Sequence, residues 1–192
     1  MRPLVLASSS PYRRDLLQKL GMPFECCSPD IDESAIDGEL PAILVARLAQ
    51  QKARALRARF PEGWIIGSDQ VACLDGAILG KPGNLASATK QLRRCSGRRV
   101  EFLTGLSLLD ARSGVAETIV EPFTVVFREL TEAQIRHYLE REAPFDCVGS
   151  FKAEGLGIAL FEGMEGTDFN ALVGLPLIRL VSLLQQAGIA VI

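Results

Sequence analysis

The start of the chain constrains the fold more than any other stretch, because it alternates strand and helix with only short connections between them. Pro3 to Ala7 reads as a short apolar strand that runs straight into Ser8-Ser9-Ser10-Pro11, where a serine caps a helix and Pro11 fits its first turn. That helix ends at Gly21, and Phe24 to Cys27 follows as a second strand. Residues 28–40 form an acidic loop containing Ile31-Asp32-Glu33, and Pro41 opens a long helix expected to reach about Phe60. Trp64-Ile65-Ile66-Gly67 then begins a buried strand that delivers Ser68-Asp69-Gln70. Strand, helix, strand, helix, strand predicts a parallel or mixed α/β sheet flanked by helices.

Farther along, Asp75-Gly76 predicts a hairpin turn ahead of Ala77 to Pro82. Asn84 can cap a helix that runs to Gly97, and two long strands near 99–109 and 115–127 flank the turn at Arg112-Ser113-Gly114. Thr131 and Gln134 have the spacing of a capping box. The glycine-rich stretch 149–166 reads as loop and strand at a functional rim, and Pro176 opens a last helix that Gly188 ends. At 192 residues there is room for one domain, or for two lobes around one cleft. Nothing in the sequence looks like a linker, a repeat or a low-complexity segment, so residues 1–192 are expected to form one α/β domain.

The net charge is -2, which argues against a protein that grips long nucleic acid through its phosphates. The charge is divided unevenly: residues 1–100 carry 15 basic and 10 acidic side chains, residues 101–192 carry 6 and 13. The positive half also holds the most unusual polar motifs, which hints at a small anionic ligand. No apolar run approaches the ~18 residues that a membrane span needs, and the apolar part of the N-terminus is too short for a signal peptide. The five cysteines (Cys26, Cys27, Cys73, Cys95, Cys147) are odd in number and show no CxxC spacing, so they read as reduced thiols of a cytoplasmic protein. The single histidine, His137, sits in a charged helical stretch and reads as a surface residue, which argues against histidine-based catalysis.

Three features break the packing pattern. Lys52 lies on or beside the apolar stripe Leu44, Leu48, Ala55, either snorkelling to solvent or pointing inward at a phosphate. Asp69 follows an apolar strand segment, in the position at which open α/β sheets bind ligands, and shows no turn signature. Ser8-Ser9-Ser10-Pro11-Tyr12-Arg13-Arg14 combines free backbone N–H groups, hydroxyls and two arginines at a helix start. Those groups suit a phosphate, and arginines there oppose the helix dipole unless an anion is present. A capped surface helix is the plainer alternative. Gly80-Lys81-Pro82 fails as a P-loop, Gly155-x-Gly157 lacks the third glycine of a dinucleotide fingerprint, and no Gly-x-Ser-x-Gly elbow occurs.

Taken in order, Leu6 to Arg14, Ile31-Asp32-Glu33, Leu48 to Ala53, Ile66 to Val71, Gly80-Lys81-Pro82 and Leu172 to Leu177 resemble the motifs of the Maf family of nucleotide pyrophosphatases. The likeness covers essentially the whole chain. It implies a fold like that of inosine triphosphate pyrophosphatases, a mixed twisted sheet with two lobes around a central cleft. It also implies hydrolysis between the α and β phosphates of a nucleotide. Ser68-Asp69-Gln70 stands in place of the Ala-Asp-Thr typical of members acting on dTTP and UTP, and Glu154 stands where those members have glutamine. Both substitutions resemble the 7-methyl-GTP branch.

On that resemblance, Ser8, Ser10, Arg13, Arg14, Lys52 and Lys81 bind the triphosphate, and Asp69 accepts a proton from the attacking water, directly or through a metal-bound water. Glu33 and Asp69 are hard oxygen ligands for Mg²⁺ or Mn²⁺. The 7-methylguanine ring is cationic, so Tyr12 can stack on it, Glu154 can accept from its N1–H and exocyclic amine, and Gln70 helps to orient it. The partner is then a small nucleotide, with no nucleic acid and no membrane, and a homodimer is compatible with the reading. Two rivals remain at this point: a pyrophosphatase for dTTP, UTP or another modified nucleotide, and a regulator of septum formation acting by binding. Binding to an RNA cap suits the stacking and the carboxylate, but there is no basic track for the following nucleotides.

Overall fold

The computed structural model describes residues 2–192. Seven strands form one mixed sheet: β1 (Leu4–Ala7), β2 (Glu25–Cys27), β3 (Trp64–Leu74), β4 (Ala77–Leu79), β5 (Arg99–Asp110), β6 (Ala116–Phe127) and β7 (Phe161–Gly166). Their order is β2-β1-β3-β5-β6-β7, with β4 pairing β3 off this path. The expected mixed character is present: β1 runs parallel to β2 and to β3, whereas β3–β4 and β6–β7 are antiparallel. The helices are α1 (Pro11–Gln18), α2 (Pro41–Ala55), α3 (Leu85–Cys95), α4 (Glu132–Glu142), α5 (Phe169–Val173) and α6 (Leu177–Gln186).

The chain divides into two compact units. The first comprises the residues up to Gln70 together with 104–121 and 168–192. Its β1 is buried on both faces, and the alternation of side chains decides which partner each residue meets. Leu4 and Leu6 join Ile66, Leu16, Leu17 and the leucines of α6, while Val5 and Ala7 join Ile65, Ala53 and Leu56. The second unit comprises Val71–Leu103 and Pro122–Thr167. Its core includes Phe102, Phe127, Phe151 and Phe161, packed edge to face with centroids 4.8–5.7 Å apart. Asp75 and Gly76 both take positive φ, the geometry that a tight two-residue hairpin needs.

Two boundaries differ from expectation. α2 stops at Ala55 rather than near Phe60, because the chain tightens into Leu56 N–H to Ala53 O and Arg57 N–H to Arg54 O bonds. Arg57 then reaches the carbonyl of Ala111 through Nε at 2.8 Å. β3 continues past Gly67 to Leu74, so Asp69 lies inside a strand rather than at its end. The parallel pairing with β1 does stop at Ala7↔Gly67, which leaves Asp69 two residues beyond that partner. Within the glycine-rich stretch, 3₁₀ turns at Val148–Ser150 and Leu156–Leu160 precede β7.

Candidate active site

The site is organised by the two faces of β3. Gly67 and Asp69 share one face, Ser68 and Gln70 the other. Gly67 lies against α2 so closely that a Cβ there would overlap the Ala49 carbonyl and stand 2.9 Å from Ala53 N. This close approach brings Asp69 to Lys52, which α2 carries between those two alanines. Lys52 Nζ donates to Asp69 Oδ1 at 2.6 Å and pairs with Glu33 Oε1 at 3.0 Å. Lys52 and Asp69 are buried, and Glu33 is exposed. Lys52 therefore does not snorkel: its ammonium is drawn inward to two carboxylates, which compensates part of the cost of burying it.

Glu33 comes from the acidic loop, and Arg47 holds that loop to α2. Its Nη2 donates to Ser34 O at 3.0 Å, and its guanidinium forks onto Glu39 at 2.6 and 2.7 Å. The bonded guanidinium pulls the Glu39 carboxyl down to about 2, and Glu39 in turn raises Arg47.

On the opposite face, Ser68 Oγ donates within reach of two carbonyls, Gly105 O at 2.8 Å and Gly174 O at 3.0 Å. Gly174 O also accepts from Arg13 Nε at 2.8 Å, so the turn after α5 ties β3 to the first turn of α1. Burial lowers the pKa of Arg13, and the charges of Asp69 and Glu33 act against that shift. Arginine side chains keep their charge in proteins. Gln70 Nε2 lies 2.7 Å from Ala171 O, 3.1 Å from Leu172 O and 2.9 Å from Thr104 Oγ1. Flipping the amide would turn its oxygen towards two carbonyl oxygens, so the orientation is forced. Gln70 Oε1 takes no hydrogen bond from any described residue, and it is left as an acceptor.

At the start of α1, Ser10 caps the helix by accepting from Arg13 N at 3.3 Å, and buried Ser8 accepts from Ser10 N at 3.1 Å. Each hydroxyl keeps its own O–H to donate to an anion. The first turn of α1 contains no acidic side chain. Tyr12 is half-buried, and Arg14 is exposed with one long contact to Asp15 at 3.4 Å. Ser8, Ser10, Tyr12, Arg13, Arg14, Glu33, Lys52, Asp69 and Gln70 thus belong to the first unit, while Lys81 and Glu154 belong to the second and are exposed there. His137 is exposed on α4.

Over residues 3–187 the sequence matches the family described as Maf-like protein. The chain belongs to the Maf-like family. It is 59% identical over 189 residues to a 7-methyl-GTP pyrophosphatase of Nitrosococcus oceani, covering 98% of this chain and 95% of the relative. A 7-methyl-GTP pyrophosphatase of Pseudomonas aeruginosa is 56% identical over 191 residues, covering both chains in full. One of Pseudoalteromonas atlantica is 55% identical over 188 residues, 98% of this chain and 96% of the relative.

In this Maf-like chain the donor set also bears on a metal. Among the described residues no group of three or more His, Cys, Asp or Glu side chains could hold an ion by itself. Glu33 and Asp69 nevertheless converge on one cationic position, now taken by the Lys52 ammonium. Mg²⁺ is commonly held by one or two carboxylates, with phosphate oxygens and water completing its shell, and this pair fits such an ion. Four contributors escaped sequence reasoning: Arg47, Glu39, Thr104 and the carbonyl of Gly174. Thr104 reads as an ordinary strand residue and Arg47 as an ordinary solvated helix residue, so neither carried a signal. Gly174 did lie within the motif Leu172 to Leu177 that carried the resemblance.

Proposed function

We propose that this chain is a nucleotide pyrophosphatase that hydrolyses 7-methyl-GTP to 7-methyl-GMP and pyrophosphate. The observation that carries the reading is the buried Asp69 carboxylate, held 2.6 Å from Lys52 in a Maf-like chain more than half identical to proteins named for that activity. Only Oδ1 of Asp69 is bonded to Lys52. Oδ2 takes no hydrogen bond from a described residue and is the oxygen available to a water.

That water attacks the α-phosphorus and Asp69 takes its proton. A new P–O bond forms as the bond from the α-phosphorus to the bridging oxygen breaks, and pyrophosphate leaves with the electron pair. Lys52, Arg13, Arg14 and Lys81 neutralise the phosphates, and the Ser8 and Ser10 hydroxyls donate to phosphate oxygens. Glu33 and Asp69 are the residues that would hold Mg²⁺ or Mn²⁺, which supplies Lewis-acid charge to those oxygens. Tyr12 stacks on the cationic base, Glu154 accepts from its N–H donors and Gln70 Oε1 accepts another. The substrate is a free nucleotide rather than a nucleic acid, and the reading places the enzyme in the cytoplasm with its cysteines as thiols.

The deciding experiment measures pyrophosphate release from 7-methyl-GTP, GTP, UTP and dTTP, with Mg²⁺ or Mn²⁺ and after chelation. Wild type should show its highest kcat/KM on 7-methyl-GTP, and Asp69→Asn should lose about 10²-fold or more in kcat. Equal rates on all four nucleotides would reject the substrate. Full release by Asp69→Asn would reject the mechanism.

A further inference from the structure

The turn that carries Glu154 is held by a helix to which the proposed chemistry assigns no role. Tyr138 and Glu142 lie one helical turn apart on α4, hence on one face of it. Tyr138 is buried, and its hydroxyl oxygen accepts the backbone N–H of Lys152 at 3.0 Å. Glu142, the last residue of α4, accepts the backbone N–H of Leu156 at Oε1, 3.1 Å away. Lys152 Nζ returns to the Glu142 backbone carbonyl at 3.3 Å. The turn therefore hangs on α4 at both ends, two residues on either side of Glu154.

Inside the turn, Lys152 O accepts from Gly155 N at 3.2 Å and from Gly157 N at 3.1 Å. A Cβ at residue 157 would overlap the Lys152 carbonyl, and one at residue 155 would stand 3.1 Å from Glu142 Oε2. Gly157 is thus required by how closely the turn folds on its own backbone, while Gly155 lies in tight contact with the Glu142 carboxylate. Glu154 stands exposed at the tip with no hydrogen bond of its own to a described residue. Its direction is set by the backbone, and α4 sets the backbone. The Tyr138 hydroxyl suits this anchoring role because it stays a neutral phenol. Burial raises its pKa, with added contributions from Glu142, Cys147 and Glu154.

We propose that Tyr138 and Glu142 are positioning residues for base selection, fixing the carboxylate of Glu154 by bonding the backbone on either side of it. The proposal rests on the role assigned above to Glu154. Neither residue is required for the phosphate chemistry, so their loss should fall on discrimination rather than on turnover. A hydrogen bond of this kind is worth enough to change an affinity several-fold.

The experiment measures kcat and KM for 7-methyl-GTP and for GTP on wild type, Tyr138→Phe, Glu142→Ala, Glu142→Gln and Glu154→Gln. Tyr138→Phe and Glu142→Ala should each lower the ratio of the two kcat/KM values by ~3–10-fold, mostly through KM for 7-methyl-GTP. Glu142→Gln still offers an acceptor oxygen to Leu156 and should restore most of the ratio. General damage to the fold would lower both nucleotides together and leave the ratio alone. The proposal is overturned if Glu154→Gln narrows the ratio while Tyr138→Phe and Glu142→Ala leave it unchanged. If Glu154→Gln itself leaves the ratio unchanged, the base-reading role of Glu154 fails and this proposal falls with it.

Discussion

A side chain's hydrogen-bonding polarity can be set by the neighbours it bonds, and Gln70 is a clear case in this protein. With both amide hydrogens directed at Ala171 O, Leu172 O and Thr104 Oγ1, it offers a ligand only an oxygen. Gln70→Glu replaces the NH₂ group with an oxygen facing two carbonyl oxygens. The variant carboxyl can satisfy them only while protonated, so its folded pKa must rise. Stability should then match wild type most closely at about pH 4, below the unfolded carboxyl's own titration, and fall as pH rises, by about 1–3 kcal/mol at pH 8. Urea unfolding at the two pH values checks this, and a variant equally stable at both would show that the amide is free to turn.

At the level of elements, the contact of α2 with β3 makes the Lys52–Asp69 pair. Gly67 lets the helix approach the strand, and the close-packed neighbours leave no slack for even one methyl group. Gly67→Ala should cost about 1–3 kcal/mol by overpacking. It should also lower kcat for any accepted nucleotide, because displacing α2 moves Lys52 off Asp69. Denaturant unfolding together with steady-state kinetics on the same variant tests both halves. Unchanged stability would mean that the helix yields without strain. The motif Leu48 to Ala53 and the motif Ile66 to Val71 are thus two sides of one contact. Their separate appearance in the sequence concealed that relation.

At the scale of the whole molecule, four arginine–carboxylate pairs share one sign of pH dependence. Arginine partners hold Glu39, Asp110, Glu132 and Glu165 below the usual carboxylate range, Glu39 down to about 2. The unfolded chain protonates these groups first, so their stabilisation is complete above roughly pH 5 and is lost as the pH falls towards 2. At the alkaline side, burial pushes the Cys95 thiol up to about 11, and it raises Tyr138 as well. Unfolded thiols ionise near 9, so stability declines from there upward. Thermal unfolding from pH 2 to 11 should therefore show a plateau between about pH 5 and 8 with a fall on each side. A Tm that stays flat from pH 7 down to 3 would contradict the acid limb.

Much of the fold is written in local signals. Alternating strand and helix, the capping box at Thr131 and Gln134 and the Asp75-Gly76 turn are decided by residues close together in the chain, and each appears where such residues put it. Lys52 and Asp69 also stand out locally, because a charge on an apolar stripe or beside an apolar strand is costly without a partner. Local sequence does not disclose the partner. That Asp69 lies within β3, that Lys52 meets Glu33 as well, that Arg47 clamps the loop and that α4 carries the Glu154 turn are all results of tertiary packing. The uneven charge along the chain pointed to an anionic ligand from sequence alone. Which cation faces which carboxylate was decided only when the chain folded, because charges far apart in sequence interact strongly only once packing brings them within a few ångströms.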